Sequence, residues 1–239
     1  MTAQEQIKHL FNRTVTNSNL VYDFNLFDAS VTQKLWSTDY YLRALLNLDI
    51  SEVAASSTVY TGSGTDTRTS NILDSFCREI NRLLDGFFMN AMSTLDTLGH
   101  QIYVLYTSRS IPPKIYITTA KDMLVREHQQ STLGRFLNTQ LAMRWFSDFE
   151  PFRHCTTHES LIRFDDIQIS YDYVNSRYKL SKKIKLPDNP QIRPYTYQRN
   201  RVANDFCKST FGNLDRLVKR SYECIRRDVR RSGNVIPIP

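Results

Sequence analysis

Residues 151–158 read P-F-R-H-C-T-T-H, in which Arg153 and His158 stand five positions apart and His154 directly follows the arginine. A histidine that titrates near neutrality can take the proton of a ribose 2′-hydroxyl or protonate a leaving oxygen. A guanidinium stays charged and can stabilise the negative charge that builds on phosphate oxygens in the transition state. Cleavage of RNA therefore suits these residues, with Arg153 and His158 as candidate catalytic residues and His154 as a supporting one.

The spacing of an arginine and a histidine carries little information by itself. In a chain of this composition, an arginine followed by a histidine five to seven positions later is expected about 1.3 times by chance. Requiring Asn, Asp or His directly after the arginine and a spacing of five lowers the expectation to about 0.07. The motif is therefore moderately specific, and the alternative is a set of polar residues on an ordinary helix surface.

Apolar residues in steps of three and four predict two long helices before the motif, over 71–106 and 132–149. Pro151 follows the second helix, and proline is favoured in the first turn of a helix. We therefore expect the motif to open a new helical segment after a break. The small polar residues 55–70 predict a flexible loop, and K-I-Y-I-T at 114–118 predicts a short extended piece.

We expect residues 1–60 to form an N-terminal helical extension, with helices predicted at 5–13 and 32–48. Beyond the motif the apolar period changes from 3.6 to 2, which predicts an inserted β-hairpin over 164–186. A two-residue loop at 175–176 is expected to join its strands. Its tyrosines could stack on bases, although aromatic residues at strand spacing more often pack within a hairpin.

Positive charge is concentrated in the C-terminal quarter of the chain. Residues 176–239 hold 16 Lys and Arg against 5 Asp and Glu, whereas residues 1–175 hold 15 against 19. A surface of this charge density attracts polyanions such as RNA, and the alternative is a solvated helix face without a ligand. A basic helix over 200–231 carries the candidate RNA-binding residues Arg216, Lys219, Arg220, Arg226, Arg227 and Arg230.

Asp96 and His100 lie four residues apart on the first long helix and so share one of its faces. Asp96 could orient a catalytic imidazole while His100 lines the cleft. The alternative is a local pair within the helix. Asp96 and His100 are therefore candidate supporting residues.

The composition also limits the class of protein. The chain has 239 residues, 41% of them apolar, which suits a single folded domain over 1–239. No stretch approaches the roughly 18 apolar residues of a membrane span, and the N-terminus lacks a signal-peptide pattern, so we expect a cytoplasmic protein without membrane association. The spacing of Cys and His matches no zinc site, so we expect neither a metal nor another cofactor.

The motif and the long helix before it, which contains S-T-L-D-T-L-G-H, resemble the HEPN superfamily (higher eukaryotes and prokaryotes nucleotide-binding domain). The mark of that superfamily is an arginine, a polar residue and then a histidine within an α-helical bundle. The resemblance covers roughly 70–165 and the last helix. F-R-H-C-T-T-H-E-S-L-I is similar to stand-alone bacterial members that also carry an L-P-D-like segment after the motif. Here the hairpin and the N-terminal residues are additions, and His154 stands where Asn is commoner.

The resemblance implies a mainly α fold, a HEPN-like helical bundle with an inserted β-hairpin. It also implies a metal-independent RNA endonuclease, such as a toxin or defence effector, for which a cognate antitoxin or operon partner is a further possible partner. On an ideal helix Arg153 and His158 are about 140° apart around the axis. Members of the superfamily dimerise with their motif helices face to face, so a homodimer with a composite site is expected. The alternative is a catalytically inactive HEPN protein that binds nucleotide, RNA or a protein partner.

Overall fold

The computed structural model describes residues 1–56, 65–107, 109, 112, 115–158, 162, 164–165 and 167–233, with the backbone alone at 56, 65–70 and 156–158. Its helices are α1 (Ala3–Thr14), α2 (Ser18–Leu46), α3 (Ile50–Ser56), α4 (Thr65–Thr107), α5 (Ile117–Glu127), α6 (Thr132–Leu141), α7 (Arg144–His158) and α8 (Ala203–Arg231). Its strands are β1 (Ile169–Asp172), β2 (Arg177–Leu180), β3 (Lys185–Leu186) and β4 (Arg201–Val202). The prediction of a mainly α fold with a hairpin is confirmed. Within the described ranges, every helix is too short or too polar to cross a bilayer.

Two compact units divide the chain. Unit 1 consists of Met1–Ser37, Asn90–Phe149 and Phe211–Pro239, and unit 2 consists of Thr38–Met89 and Glu150–Thr210. The boundaries between the units fall within α2, α4, α7 and α8. The expectation of one domain over 1–239 stays a prediction.

In unit 1 a buried carboxylate connects four helices. Asp28 of α2 accepts hydrogen bonds from Gln4 of α1 at 2.8 Å and from Gln101 of α4 at 3.1 Å. The hydroxyl of Tyr222 in α8 donates to the Gln101 side-chain oxygen at 2.8 Å. Because a buried carboxylate is costly without partners, this network favours one arrangement of α1, α2, α4 and α8 within the unit.

In unit 2, β1 and β2 form the hairpin, with Asp172 opposite Arg177. This register leaves a four-residue loop at 173–176, so the predicted two-residue loop at 175–176 is wrong. The cause is the Asp172 side chain, which accepts two backbone N–H groups of the loop at 3.1 and 3.3 Å. An aspartate that bonds the backbone two and three residues ahead favours this wider turn.

The hairpin is also shorter than its predicted span of 164–186. Its strands end at Leu180, and the next extended residues pair elsewhere, with Lys185 of β3 opposite Val202 of β4. Alternating apolar residues predicted the strands correctly, but the alternation does not say which strand is the partner.

The N-terminal helices agree with the sequence in part. The helix predicted at 5–13 is confirmed as α1, but α2 begins at Ser18 rather than at residue 32. The Asn17 side chain accepts the N–H of Asn19 at 3.1 Å and caps the helix.

The long helix predicted at 71–106 is confirmed, and α4 extends beyond it from Thr65 to Thr107. The loop predicted at 55–70 is therefore wrong at 55–56, where α3 ends, and at 65–70, and residues 57–64 lie outside the described part of the chain. Serine and threonine are weak helix formers, but extending an existing helix is easier than nucleating one.

The extended piece predicted at 114–118 is wrong at its end, because Ile117 begins α5; Lys114 lies outside the described residues. A Cβ added at Gly99 of α4 would lie 3.0 Å from the backbone nitrogen of Ile117. The absent side chain lets the start of α5 approach α4 closely. A glycine that serves a distant packing contact leaves no local signal in the sequence.

The helix predicted at 132–149 is divided in two. Its first part, α6, ends at Leu141, and α7 begins at Arg144 and continues through Pro151. The motif therefore lies in the second half of an existing helix, and the expectation that Pro151 opens a new helix is wrong. Pro151 lacks the N–H that would bond the carbonyl four residues earlier, but buried side chains before and after it retain the helix.

Candidate functional site

Helix α7 carries all three residues of the predicted motif. Arg153 is half-buried and His154 is exposed. The backbone of His158 is helical and ends α7, whereas its side chain lies outside the described residues. Arg153 and His158 therefore belong to one continuous helix, on which five residues correspond to about 140° around the axis.

Aromatic packing determines which face of α7 points inward. The ring of Phe152 is fully buried and stacks on Phe88 of α4, with centroids 5.0 Å apart. Phe206 of α8 packs against Phe152 at 5.2 Å, and Cys155 is also buried. Because Phe152 and Cys155 occupy the inner face, His154 between them faces away from the core. The helical spacing of apolar residues is enough to predict which face of α7 points toward the core.

A buried arginine, which the sequence reading did not single out, completes this aromatic cluster. The Arg201 guanidinium lies over the rings of Phe152 and Phe206, 5.9 and 5.3 Å from their centroids. It also donates a 2.6 Å hydrogen bond to the backbone oxygen of Asp188. Cation–π contacts and a charged hydrogen bond both stabilise a desolvated guanidinium. In the sequence, Arg201 is one of many basic residues in its region, and nothing marks it as buried.

A second residue missed from the sequence is Asp85 on α4, in the same unit as Arg153. Burial raises the pKa of Asp85 to about 6. Its Oδ1 atom is buried and has no hydrogen-bond partner among the described residues, and the same holds for Oδ1 of Asn81 one turn earlier. A carboxyl that titrates near neutrality can act as an acid or a base. The sequence feature that could have indicated Asp85 is its position inside the apolar stretch L-L-D-G-F-F.

Asp96 and His100 belong to unit 1, whereas Arg153 and His154 belong to unit 2. The His100 ring stacks on Phe27 of α2, with centroids 5.2 Å apart. Burial lowers the pKa of His100, so its imidazole is neutral at pH 7. The contact with Phe27 fixes the position of the neutral ring.

The six predicted RNA-binding residues lie on one face of α8 within unit 1. All are exposed except Arg226, which is half-buried. Two of them form local ion pairs, Lys219 with Asp215 and Arg220 with Glu223, both at 2.8 Å. Spacings of three, four and seven residues place the set within about one third of the helix circumference. We call this set the α8 basic face: Arg216, Lys219, Arg220, Arg226, Arg227 and Arg230.

The opposite side of α8 carries a buried carboxylate. Asp228 accepts hydrogen bonds from the hydroxyls of Tyr106 and Ser131 at 2.8 and 2.7 Å. It also accepts the backbone N–H groups of Thr132 and Leu133, the first residues of α6, at 2.8 and 3.1 Å. Asp228 thus caps α6 from another helix and attaches α8 to it.

A cavity of about 510 Å³ lies beside this carboxylate in unit 1. Tyr106, His128 and Asp228 line it together with Arg126 and Arg231. The rings of Tyr106 and His128 meet edge to face, 5.2 Å apart. Burial and the Asp228 charge raise the pKa of Tyr106, so its neutral hydroxyl remains a hydrogen-bond donor to Asp228.

Metal-binding chemistry has no candidate group in the described residues, where no three of His, Cys, Asp and Glu are placed to hold one ion. All four cysteines are free thiols, of which Cys155, Cys207 and Cys224 are buried and Cys77 is half-buried. Burial raises the pKa of Cys207, which keeps it protonated.

Comparison of this chain with protein-family models, curated proteins and solved structures found no match. The resemblance to HEPN proteins therefore rests on the motif of α7 and its place behind a long amphipathic helix.

Proposed function

We propose that this chain is an RNA endonuclease that binds RNA through the α8 basic face and cleaves it with Arg153 and His158. The observation that carries the RNA-binding part of the proposal is the α8 basic face itself. Arg216, Arg227 and Arg230 are exposed and form no ion pair within the described part of the chain. Guanidinium groups that lack acidic partners are available to phosphates.

The cleavage chemistry follows from the residue types on α7. His158 removes the proton of a ribose 2′-hydroxyl, whose oxygen forms a bond to phosphorus while the bond to the 5′-oxygen breaks. The leaving 5′-oxygen takes up that proton from the protonated His158, and Arg153 stabilises the charge on the phosphorane oxygens. The products are a 2′,3′-cyclic phosphate and a 5′-hydroxyl. Since the histidine and arginine supply proton transfer and charge stabilisation, we propose that the reaction is independent of metal ions.

A homodimer accompanies this proposal. The roughly 140° between Arg153 and His158 on one helix leaves one chain poorly able to surround a phosphate. Two α7 helices from two copies would bring an arginine and a histidine together, as the HEPN resemblance implies. We further propose a cytoplasmic toxin or defence effector, with a cognate antitoxin or operon partner.

A second function is favoured by the α8 basic face, because that face needs no catalytic residue to bind RNA. In this case the chain is a catalytically silent RNA-binding protein. The two functions differ in whether new RNA ends appear.

Incubating the purified protein with mixed RNA in EDTA, and mapping the ends, tests the proposal. We expect cyclic phosphate and 5′-hydroxyl ends from the wild type. His158→Ala and Arg153→Ala should abolish the ends but retain RNA binding, with losses of several kcal/mol in transition-state stabilisation. His154→Ala should lose less, and His9→Ala is the matched control, since His9 is exposed on α1. If the protein binds RNA but produces no new RNA ends under any condition, the nuclease proposal fails and the function is that of a catalytically silent RNA-binding protein.

A further inference from the structure

One face of α2 in unit 1 is both exposed and apolar. Tyr22 is 68% exposed, Leu26 48% and Trp36 73%. Ala29 and Gln33, which lie between them on the same helix, are exposed as well. We call this set of residues the α2 seam. Exposed residues as large as these, aligned on one helix face, mark an interaction surface.

The α2 seam has the spacing of a coiled coil. Its residues follow one another in steps of four, three, four and three, which is the alternation of a and d positions in a heptad. The buried residues of the same segment, including Phe24 and Val31, lie on the other side of the helix and pack within the protein. The helix thus has one apolar face for its own core and a second one toward solvent.

We propose that the α2 seam is a self-association surface, and that its occupant is the α2 seam of a second copy of this chain. A two-fold pair of identical helices suits this order of residues. Ala29 lets the two backbones approach closely, and Gln33 gives a polar a position whose amide can bond an amide of the other copy. On either side of Ala29 and Gln33, the large side chains of one copy then pack against those of the other copy. These side chains are Tyr22, Leu26 and Trp36.

The area available agrees with a dimer of modest affinity. Aromatic side chains bury about 150–250 Å² each, so the exposed parts of Tyr22 and Trp36 offer about 210–350 Å² per copy. Leu26 and the flanking polar residues enlarge this toward the roughly 600–1,000 Å² per partner of a standard interface. We therefore expect a dissociation constant on the order of 1–100 µM.

The charges beside the α2 seam argue against RNA or an anionic membrane as its occupant. Lys34 is the single cation between Tyr22 and Trp36 in the sequence, and Asp23 flanks the seam. RNA grooves with stacking aromatics and helices on anionic bilayers both rely on several flanking Lys or Arg. A second apolar helix requires no such cations.

This inference does not depend on the proposed nuclease. The α2 seam lies in unit 1, whereas the dimer implied by the HEPN resemblance uses α7 and its motif. Measurements of oligomeric state test self-association through the α2 seam, and assays of RNA cleavage test the proposed nuclease. Either can fail while the other stands.

Sedimentation equilibrium of the full chain from about 1 to 200 µM tests the inference. We expect the wild type to approach a dimer of 28.0 kDa chains as its concentration rises. Trp36→Lys should weaken association at least tenfold, because it places two like charges at the two-fold contact. Val125→Lys is the matched control, since Val125 is 47% exposed on α5, outside the α2 seam.

The two tryptophans allow an independent optical measurement. Trp145→Phe leaves Trp36 as the single tryptophan. Its fluorescence should shift to shorter wavelength as concentration rises through the dissociation constant, because association removes the indole from water. An Ala29→Cys variant should form an intermolecular disulfide under mild oxidation, since the other cysteines are buried or half-buried.

A wild-type chain that stays monomeric to 200 µM overturns the inference. The inference is also overturned if the Trp36→Lys and Val125→Lys variants dimerise equally tightly, because such a dimer uses another face. The α2 seam is supported if Trp36→Lys weakens dimerisation, Val125→Lys does not, and the fluorescence shifts with concentration. This holds even if no RNA is cut.

Discussion

The ring of Phe152 stacks on the ring of Phe88 with centroids 5.0 Å apart and an angle of 15° between their planes. Phe152 directly precedes Arg153, so this contact determines how α7 presents the arginine. Phe206 completes the cluster from α8. The position of the proposed catalytic arginine is thus coupled to an aromatic core, to which three helices contribute from their segments in unit 2.

Phe152→Ala should lower the free energy of unfolding by about 3–5 kcal/mol, because it removes a fully buried ring and leaves a cavity. Phe152→Leu retains most of the apolar volume and should lose about 1–2 kcal/mol. Urea denaturation followed by circular dichroism measures both. If the two variants were equally stable, the packing of α7 against Phe88 would not be tight.

Two glycines in helices should respond in opposite directions to the same substitution. A Cβ at Gly86 of α4 would clash with the Tyr41 ring, whereas a Cβ at Gly212 of α8 meets nothing within 4 Å. Gly86→Ala should therefore lose about 1–3 kcal/mol through overpacking. Gly212→Ala should gain about 0.5–1 kcal/mol from helix propensity. Thermal or urea unfolding compares them, and a gain at both positions would contradict the close contact at Gly86.

The period of apolar residues explains how much of this fold could be predicted. Burial of Phe152 and Cys155, with His154 outside, follows from helical spacing. The part of α4 over 71–106 follows in the same way. The break between α6 and α7 could not be read, because apolar residues continue at helical spacing across it, and a proline inside a helix resembles one at its start.

The residues missed at the candidate site have a different cause. Arg201 is buried because two aromatic rings and a carbonyl from distant segments surround it. The pKa of Asp85 is raised by burial, which depends on neighbours in space. By contrast, the α8 basic face was predictable, since charge spacing on one amphipathic helix is a local property.

Asp228→Asn should lower the free energy of unfolding at pH 7 by about 2–4 kcal/mol, because the amide presents N–H groups to hydrogen-bond donors. Asp215→Asn on the exposed side of the same helix should lose no more than about 0.5 kcal/mol. Denaturant midpoints of both variants against wild type give the comparison.

The effect of Asp228→Asn should also depend on pH. Burial acts to raise the pKa of Asp228, but the hydrogen bonds from Ser131, Thr132, Leu133 and Tyr106 outweigh it, so the pKa lies below its ordinary value of 3.8. A carboxyl with a lowered pKa in the folded state contributes stability above its unfolded pKa and loses it as the pH falls through the folded value. The difference between wild type and Asp228→Asn should therefore be constant above about pH 5 and shrink below pH 3.8. A difference that grew on acidification would contradict the capping role.

Replacing Arg216, Arg227 and Arg230 together by Gln should weaken RNA binding and flatten its dependence on salt. Each phosphate contact on a single strand contributes about 0.7 to the slope of log K against log salt, so three lost contacts should reduce the slope by about 2. Fluorescence anisotropy with a labelled RNA between about 50 and 300 mM salt measures this change. The matched control removes the same charge from exposed residues of unit 2, as Arg177→Gln, Lys182→Gln and Lys183→Gln. If the α8 triple variant and the control have the same reduced slope, net charge alone attracts RNA. If the α8 triple variant has the same slope as the wild type, the α8 basic face does not contact RNA and is a solvated helix surface.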